Sequence, residues 1–113
     1  MASRLTSTML VAALVRRVQD AGGAAVIVAK GDASAGSILL ICLEKGQLTA
    51  YRERLLSPGG GYRWEAVGPT RDSDGPEAQE WLNRRRRRDP DLWIVELDIA
   101  NAERFAAETS GDD

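Results

Sequence analysis

Apolar residues near the start of the chain recur with the spacing of a helix. The members of this stripe are Leu10, Val11, Leu14, Val15, Val18 and Ala21. Thr6 or Ser7 can cap the start of the helix, and Gly22-Gly23 can end it. The pattern predicts a helix over residues 5–21, and its wide apolar face predicts that the helix lies flat against a sheet.

Short apolar runs rich in β-branched residues predict two strands, over residues 24–30 and 37–43. Alternation of side chains along residues 48–54 and 62–67 predicts two more. The connections between them are short and rich in glycine, and the last is a flexible loop or hairpin tip around Ser57-Pro58-Gly59-Gly60-Gly61. Short connections favour antiparallel neighbours among these four strands.

The most unusual stretch of the chain joins a helix, a sharp stop and a strand. Ala78, Trp81, Leu82 and Arg85 recur with helical spacing, which predicts a helix that ends in five consecutive arginines, Arg84 to Arg88. Pro90 cannot continue that helix. Residues 92–97 are apolar except for Glu96, which predicts a strand near the centre of the sheet.

Together these elements predict a single domain over residues 1–113 with an α+β fold. We expect an antiparallel or mixed sheet of about five strands, with the two main helices on one of its faces. Residues 102–108 predict a short C-terminal helix, and residues 109–113 are expected to form a frayed tail.

Composition and charge limit the kinds of binding site and partner that we expect for this chain. The net charge of −2 argues against a surface tuned throughout for nucleic acid or for acidic membranes. There is one cysteine and no histidine, so neither a disulfide within the chain nor a cysteine metal cage is predicted, and we expect no metal and no cofactor. The apolar run at residues 9–15 is too short to cross a bilayer, so we expect a cytoplasmic protein without a membrane partner.

Three segments of the chain resemble a small bacterial family, domain of unknown function 1491. They are Leu14-Val15-Arg16-Arg17, then Gly31-Asp32-Ala33-Ser34-Ala35-Gly36, and finally Arg88-Asp89-Pro90-Asp91-Leu92-Trp93-Ile94-Val95-Glu96. The last segment is the most specific, and the resemblance extends over nearly the whole chain. It implies a cytoplasmic bacterial protein of about this length. It supplies no activity, so no catalytic residue can be transferred.

The arginine run is the first candidate binding site. Five consecutive residues turn about 500° around a helix axis, so they cannot form one stripe. The candidate contacts are Arg84, Arg85, Arg87 and Arg88. They could bind nucleic-acid phosphates or an acidic protein surface. The alternative is a solvated helix end, with Glu80 paired to Arg84 and with Arg85 lying over Trp81.

Two aromatic residues form the second candidate. Tyr62 and Trp64 share one face of a strand beside the glycine-rich loop. An exposed aromatic patch ringed by arginines is typical of a protein interface. The alternative is that Trp64 packs against Trp81 beneath the second helix.

Three further features have structural and functional interpretations. Glu96 lies on the same side of its strand as two apolar residues, which predicts either a buried ion pair with Arg16, Arg17 or Arg63, or a general acid or base. The Gly31–Gly36 turn is either a plain strand connection or a small phosphate cradle, although the Gly-Lys-Ser/Thr of a P-loop is missing. Cys42 lies within an apolar run, which favours a buried structural thiol.

The sequence therefore favours a small protein-interaction module without catalytic activity, whose partner is an unknown protein or a second copy in a homodimer. The surface would combine Tyr62 and Trp64 with the arginine helix end. A nucleic-acid-associated protein using Arg84 to Arg88 is the alternative. A small enzyme using carboxylates and arginines is a second alternative, and no catalytic residue is assigned.

Overall fold

The computed structural model describes residues 5–69 and 75–109, which form three helices and five strands. The helices are α1 (Ser7–Asp20), α2 (Pro76–Arg88) and α3 (Ala102–Glu108). The strands are β1 (Ala24–Ala29), β2 (Ile38–Glu44), β3 (Gln47–Leu56), β4 (Tyr62–Val67) and β5 (Trp93–Asp98). All the predicted elements are present, with small shifts at their ends. The predicted frayed tail lies, apart from Thr109, outside the described residues.

The five strands form one mixed sheet in the order β1-β5-β2-β3-β4. Strand β5 is antiparallel to β1 and parallel to β2, whereas β2, β3 and β4 are joined by antiparallel pairing. The α+β prediction and the interior position of β5 are confirmed. The expectation that β1 and β2 are neighbours is wrong. The apolar strand β5 lies between them, since it can be buried on both faces there.

Alternate side chains of the interior strands point to two separate cores. Ile38, Leu40 and Cys42 of β2 pack with α1 and α3, whereas Leu39 and Ile41 pack with α2 on the other face. Helix α2 therefore lies across the opposite face from α1. The expectation that the two main helices share one face is not confirmed, because β2 and β5 are apolar on both sides and each side needs a cover. No helix in the described ranges is both long and apolar enough to span a membrane.

The connection between β1 and β2 joins the start of α1 to the start of β5. The Ser7 hydroxyl donates to the Gly36 carbonyl at 2.7 Å, and the Trp93 indole N–H donates to the Asp32 carbonyl at 2.8 Å. A Cβ atom at Gly31 or Gly36 would overlap with the Asp91 carbonyl oxygen, which explains both glycines. The geometry favours a strand connection over a phosphate cradle, because the Asp32 carboxylate already accepts the N–H groups of residues 34 and 35.

Candidate functional site

A cleft of about 460 Å³ lies beside Tyr62 of the predicted aromatic patch. We call it the hairpin cleft, because one wall is the β3–β4 hairpin and the other is the start of α1 with the loop before β2. Its lining comprises Leu5, Thr6, Ser7, Ser34, Ala35, Gly36, Ser37, Ile38, Arg54, Leu55, Leu56 and Tyr62. At the tip of the hairpin the Ser57 N–H donates a hydrogen bond to the Gly61 carbonyl at 2.8 Å. The connection between β3 and β4 is therefore a hydrogen-bonded turn.

The lining of the hairpin cleft combines apolar and cationic groups. The Arg54 guanidinium carbon lies 3.6 Å from the centroid of the Tyr62 ring, a close cation–π contact. Leu56 is 60% exposed and Leu5 is 37% exposed, although both are large apolar residues. Ile38 is buried and contributes to the same lining. The cleft therefore presents uncovered apolar surface beside an aromatic ring and a positive charge.

A second cleft, of about 380 Å³, lies on the other side of Tyr62 and next to α3. We call it the α3 cleft, and it is lined by Arg52, Tyr62, Arg63, Trp64, Glu103 and Ala107. Trp64 is half-buried and packs against the core shared by α1 and α3. Its indole N–H and the Arg52 Nε are buried without a hydrogen-bond partner among the described residues. Arg52 is only loosely paired, since its terminal nitrogen lies 4.0 Å from the Glu103 carboxylate.

Two arginines of the predicted cationic run have structural roles. Arg85 makes a bidentate pair with the Glu53 carboxylate, with N–O distances of 2.9 and 2.8 Å. These hydrogen bonds raise the pKa of the Arg85 guanidinium above its ordinary value. Arg86 donates to the backbone carbonyls of Lys30 at 2.8 Å and Pro90 at 2.6 Å. These contacts tie the end of α2 to β3 and to the loops beside β5.

The other arginines of the run are exposed. Arg84 and Arg87 lie 3.9 and 3.4 Å from the Glu80 carboxylate, so the predicted Glu80–Arg84 pair is present. Arg88 makes no hydrogen bond or ion pair with any residue in the described ranges. The Arg85 guanidinium lies 5.8 Å from the Trp81 ring, as the solvated-end interpretation expected.

The predicted binding residues fall on two surfaces rather than one. Tyr62 and Trp64 face the side of the sheet that carries α1 and α3, whereas the arginine run belongs to α2 on the opposite side. For the same reason Trp64 does not pack against Trp81. The Trp81 ring instead packs against Tyr51, with 5.0 Å between the centroids.

The buried acid of the α2 face is Glu53 rather than Glu96. Glu96 is half-buried, and within residues 5–69 and 75–109 it has no ion pair, so the predicted pair is not confirmed. Glu53 is 9% exposed and lies directly opposite buried Leu39 in the sheet. The sequence contained a sign that Glu53 is buried on this face. Tyr51 and Glu53 are two positions apart in β3, so both side chains point to the same face of the sheet.

Cys42 lies in the core beneath α3. Burial raises the pKa of its thiol to about 12, the Glu103 carboxylate adds to that increase, and Arg52 opposes it. Such a thiol stays protonated near neutral pH and is a poor nucleophile. The described residues contain no cluster of three side chains suited to hold a metal ion.

Several solved structures are similar to this chain in both fold and sequence. Two solved structures, each described as a DUF1491 family protein from Caulobacter crescentus CB15, are similar to the chain. The NMR structure has a TM-score of 0.75 at 29% identity, covering 92% of this chain and 94% of that one. The crystal structure has a TM-score of 0.77 at 28% identity, covering 89% and 94%.

A third solved structure, protein Atu0922 from A. tumefaciens, has a TM-score of 0.63 at 30% identity and covers 88% of this chain and 89% of that one. No curated protein matches the chain. The family's sequence model matches residues 5–107, nearly the whole described chain. The chain therefore belongs to the DUF1491 family of proteins of unknown function.

Proposed function

We propose that this chain is a cytoplasmic protein-interaction module without catalytic activity, and that its partner binds in the hairpin cleft. The observation that carries the proposal is the pairing of exposed Leu5 and Leu56 with the Arg54–Tyr62 stack in one concave surface. Tyrosine and arginine are enriched at the energetic centres of protein interfaces. An apolar side chain inserted between the two leucines would bury surface that water now covers.

The adjoining α3 cleft supports the same function. Tyr62 lines both clefts, so they form one continuous surface. The Arg52 side chain lines the α3 cleft and is 30% exposed, and its terminal nitrogen lies 4.0 Å from the Glu103 carboxylate. A carboxylate or a backbone carbonyl of a partner segment would accept a hydrogen bond from the accessible part of this guanidinium. The partner expected from this chemistry is a protein segment with an apolar anchor and an adjacent acidic or carbonyl group.

The groups lining the hairpin cleft favour binding over catalysis. Thr6, Ser34 and Ser37 contribute neutral hydroxyl groups, and Arg54 contributes a guanidinium group. Such groups form hydrogen bonds and attract anions without transferring protons near neutral pH. General acid–base catalysis needs a group whose pKa lies close to the working pH.

The test uses a photoreactive amino acid at position 56 of the full chain, expressed in bacterial cells, with the same label at position 47 as a control. We expect position 56 to cross-link one protein that position 47 does not capture. The affinity of the purified pair is then measured by calorimetry. Leu56→Asp should weaken binding at least tenfold, about 1.4 kcal/mol, whereas Gln47→Asp, at the exposed first residue of β3 and outside the cleft, should not.

Two outcomes would contradict the proposal. One is that position 56 captures no protein beyond those captured from position 47. The other is that a captured partner binds Leu56→Asp as tightly as the native chain. Either result would move the search for the functional surface to α2.

A second candidate function, nucleic-acid binding, is supported by the exposure of Arg84, Arg87 and Arg88 at the end of α2. Glu80 partly neutralises this cationic surface. Three phosphate contacts would give a salt slope of only about −2 to −3. A mixed-sequence oligonucleotide titrated at several salt concentrations tests the idea, with Arg84→Gln/Arg87→Gln/Arg88→Gln as the variant. Binding that keeps the same slope in the triple variant would refute it.

A further inference from the structure

The two edges of the sheet differ in how well they are protected against pairing. Strand β4 carries Arg63 and Glu65, which form an ion pair at 2.9 Å. Strand β1, at the other edge, has no charged side chain between Asp20 and Lys30. Charged residues on an edge strand normally discourage another chain from adding to the sheet. Strand β1 has no such charged residues, and no described strand pairs with its outer side.

Strand β1 also exposes its largest side chains. Val26, Ile27 and Val28 are 53%, 43% and 53% exposed. They are consecutive, so they place apolar surface on both faces of the strand as well as along its edge. Of the six exposed large hydrophobic residues in the described ranges, these three form the only run of neighbours in sequence. A contiguous apolar edge of this kind is typical of a surface that is covered by another chain.

The order of residues in β1 indicates what covers it. Ala25-Val26-Ile27-Val28-Ala29 reads the same in both directions. Antiparallel pairing of two copies about Ile27 therefore places Val26 opposite Val28 of the other copy, and alanine opposite alanine. A two-fold axis requires such a self-complementary surface. We infer that β1 is a self-association edge, through which two copies of this chain join their sheets into one.

The β1 edge predicts a weak dimer rather than an obligate one. The register of β1 against β5 shifts between Ile27 and Ala29, so a bulge lies at Val28 and shortens the regular part of the edge. Pairing over about five residues buries less surface than the roughly 1,200 Å² typical of stable complexes. The hairpin cleft lies at the opposite edge of the sheet, next to β4, so this inference does not depend on the proposed partner site.

Sedimentation equilibrium of the full chain tests the inference, over protein concentrations of about 5 to 500 µM, chosen for a weak interface. We expect the native mass to rise toward that of a dimer. Val26→Lys/Val28→Lys places like charges opposite each other at two positions and should leave a monomer at all concentrations. Val26→Lys/Val28→Glu places opposite charges at the same positions and should retain the dimer. Gln47→Lys, at the exposed first residue of β3 and away from both β1 and the hairpin cleft, is the control and should also retain it.

Circular dichroism first establishes that each variant is folded, which we expect because the substituted side chains are about half exposed. A native chain that stays monomeric over the whole range would overturn the inference. A dimer that persists in Val26→Lys/Val28→Lys would overturn it too, because the interface would then lie elsewhere. Loss of the dimer in both charge variants would overturn the antiparallel pairing about Ile27.

Discussion

The ion pair between Arg85 and Glu53 allows a quantitative test of how α2 is attached to the sheet. The side chains are 25% and 12% exposed and are joined by two hydrogen bonds. The substitution Arg85→Met keeps much of the apolar stem beside Trp81 but leaves the Glu53 carboxylate without its partner. The physical question is how much free energy of unfolding is lost when a nearly buried carboxylate is left unpaired.

Removing one partner of a fully buried pair costs about 3–5 kcal/mol, mainly because an unpaired charge remains buried. Water reaches part of this pair, since a quarter of the Arg85 side chain is exposed. We therefore expect Arg85→Met to lower the free energy of unfolding by roughly 2–3 kcal/mol. In Glu53→Met/Arg85→Met both charges are gone and apolar atoms fill the space, so stability should return to within about 1 kcal/mol of the native value.

Urea denaturation of the native chain and the variants measures these differences as shifts of the midpoint at constant slope. Arg87→Met is the matched control, because the Arg87–Glu80 pair is 65% and 54% exposed. It should change stability by no more than about 0.5 kcal/mol. The reasoning is refuted if Arg85→Met and Arg87→Met have equal effects, or if the double variant is as unstable as Arg85→Met alone.

Two further predictions concern the loop before β2 and the buried thiol. Gly31→Ala should lower the free energy of unfolding, measured by urea denaturation, by at least about 3 kcal/mol, because the added Cβ overlaps with the Asp91 carbonyl. Gly59→Ala is the control: nothing lies near that position, so its stability should be within about 0.5 kcal/mol of native. Equal effects of the two substitutions would contradict the clash. Burial raises the pKa of the Cys42 thiol from 9.0 to about 12, so the unfolded chain loses this proton first as the pH rises. Between those pH values stability should fall by up to about 1.4 kcal/mol per pH unit relative to Cys42→Ala, and parallel pH profiles would refute the assignment.

The candidate residues could be predicted in part. Tyr62 and Trp64 were recognisable from two-residue alternation beside a glycine-rich loop, and they do line clefts. Leu5 and Ser34 could not be connected to them, because more than twenty residues separate each segment from the next and only the fold brings them together. Arg85 was predicted as a binding residue, but its partner Glu53 lies 32 positions away and occupies it within the fold.

Local pattern by itself determined the helices and strands of this protein. A helix or strand places its apolar side chains at a fixed spacing, so the elements from α1 to α3 could be located without knowing their neighbours. Only the tertiary structure decided that β5 separates β1 from β2 and that α2 covers the face opposite α1. Apolar patterning shows that a face must be covered but not by which helix, because burial is non-directional and every apolar helix face satisfies it equally well. Choosing among those covers depends on connection lengths and on specific contacts such as Arg85 with Glu53, which exist only once the chain has folded.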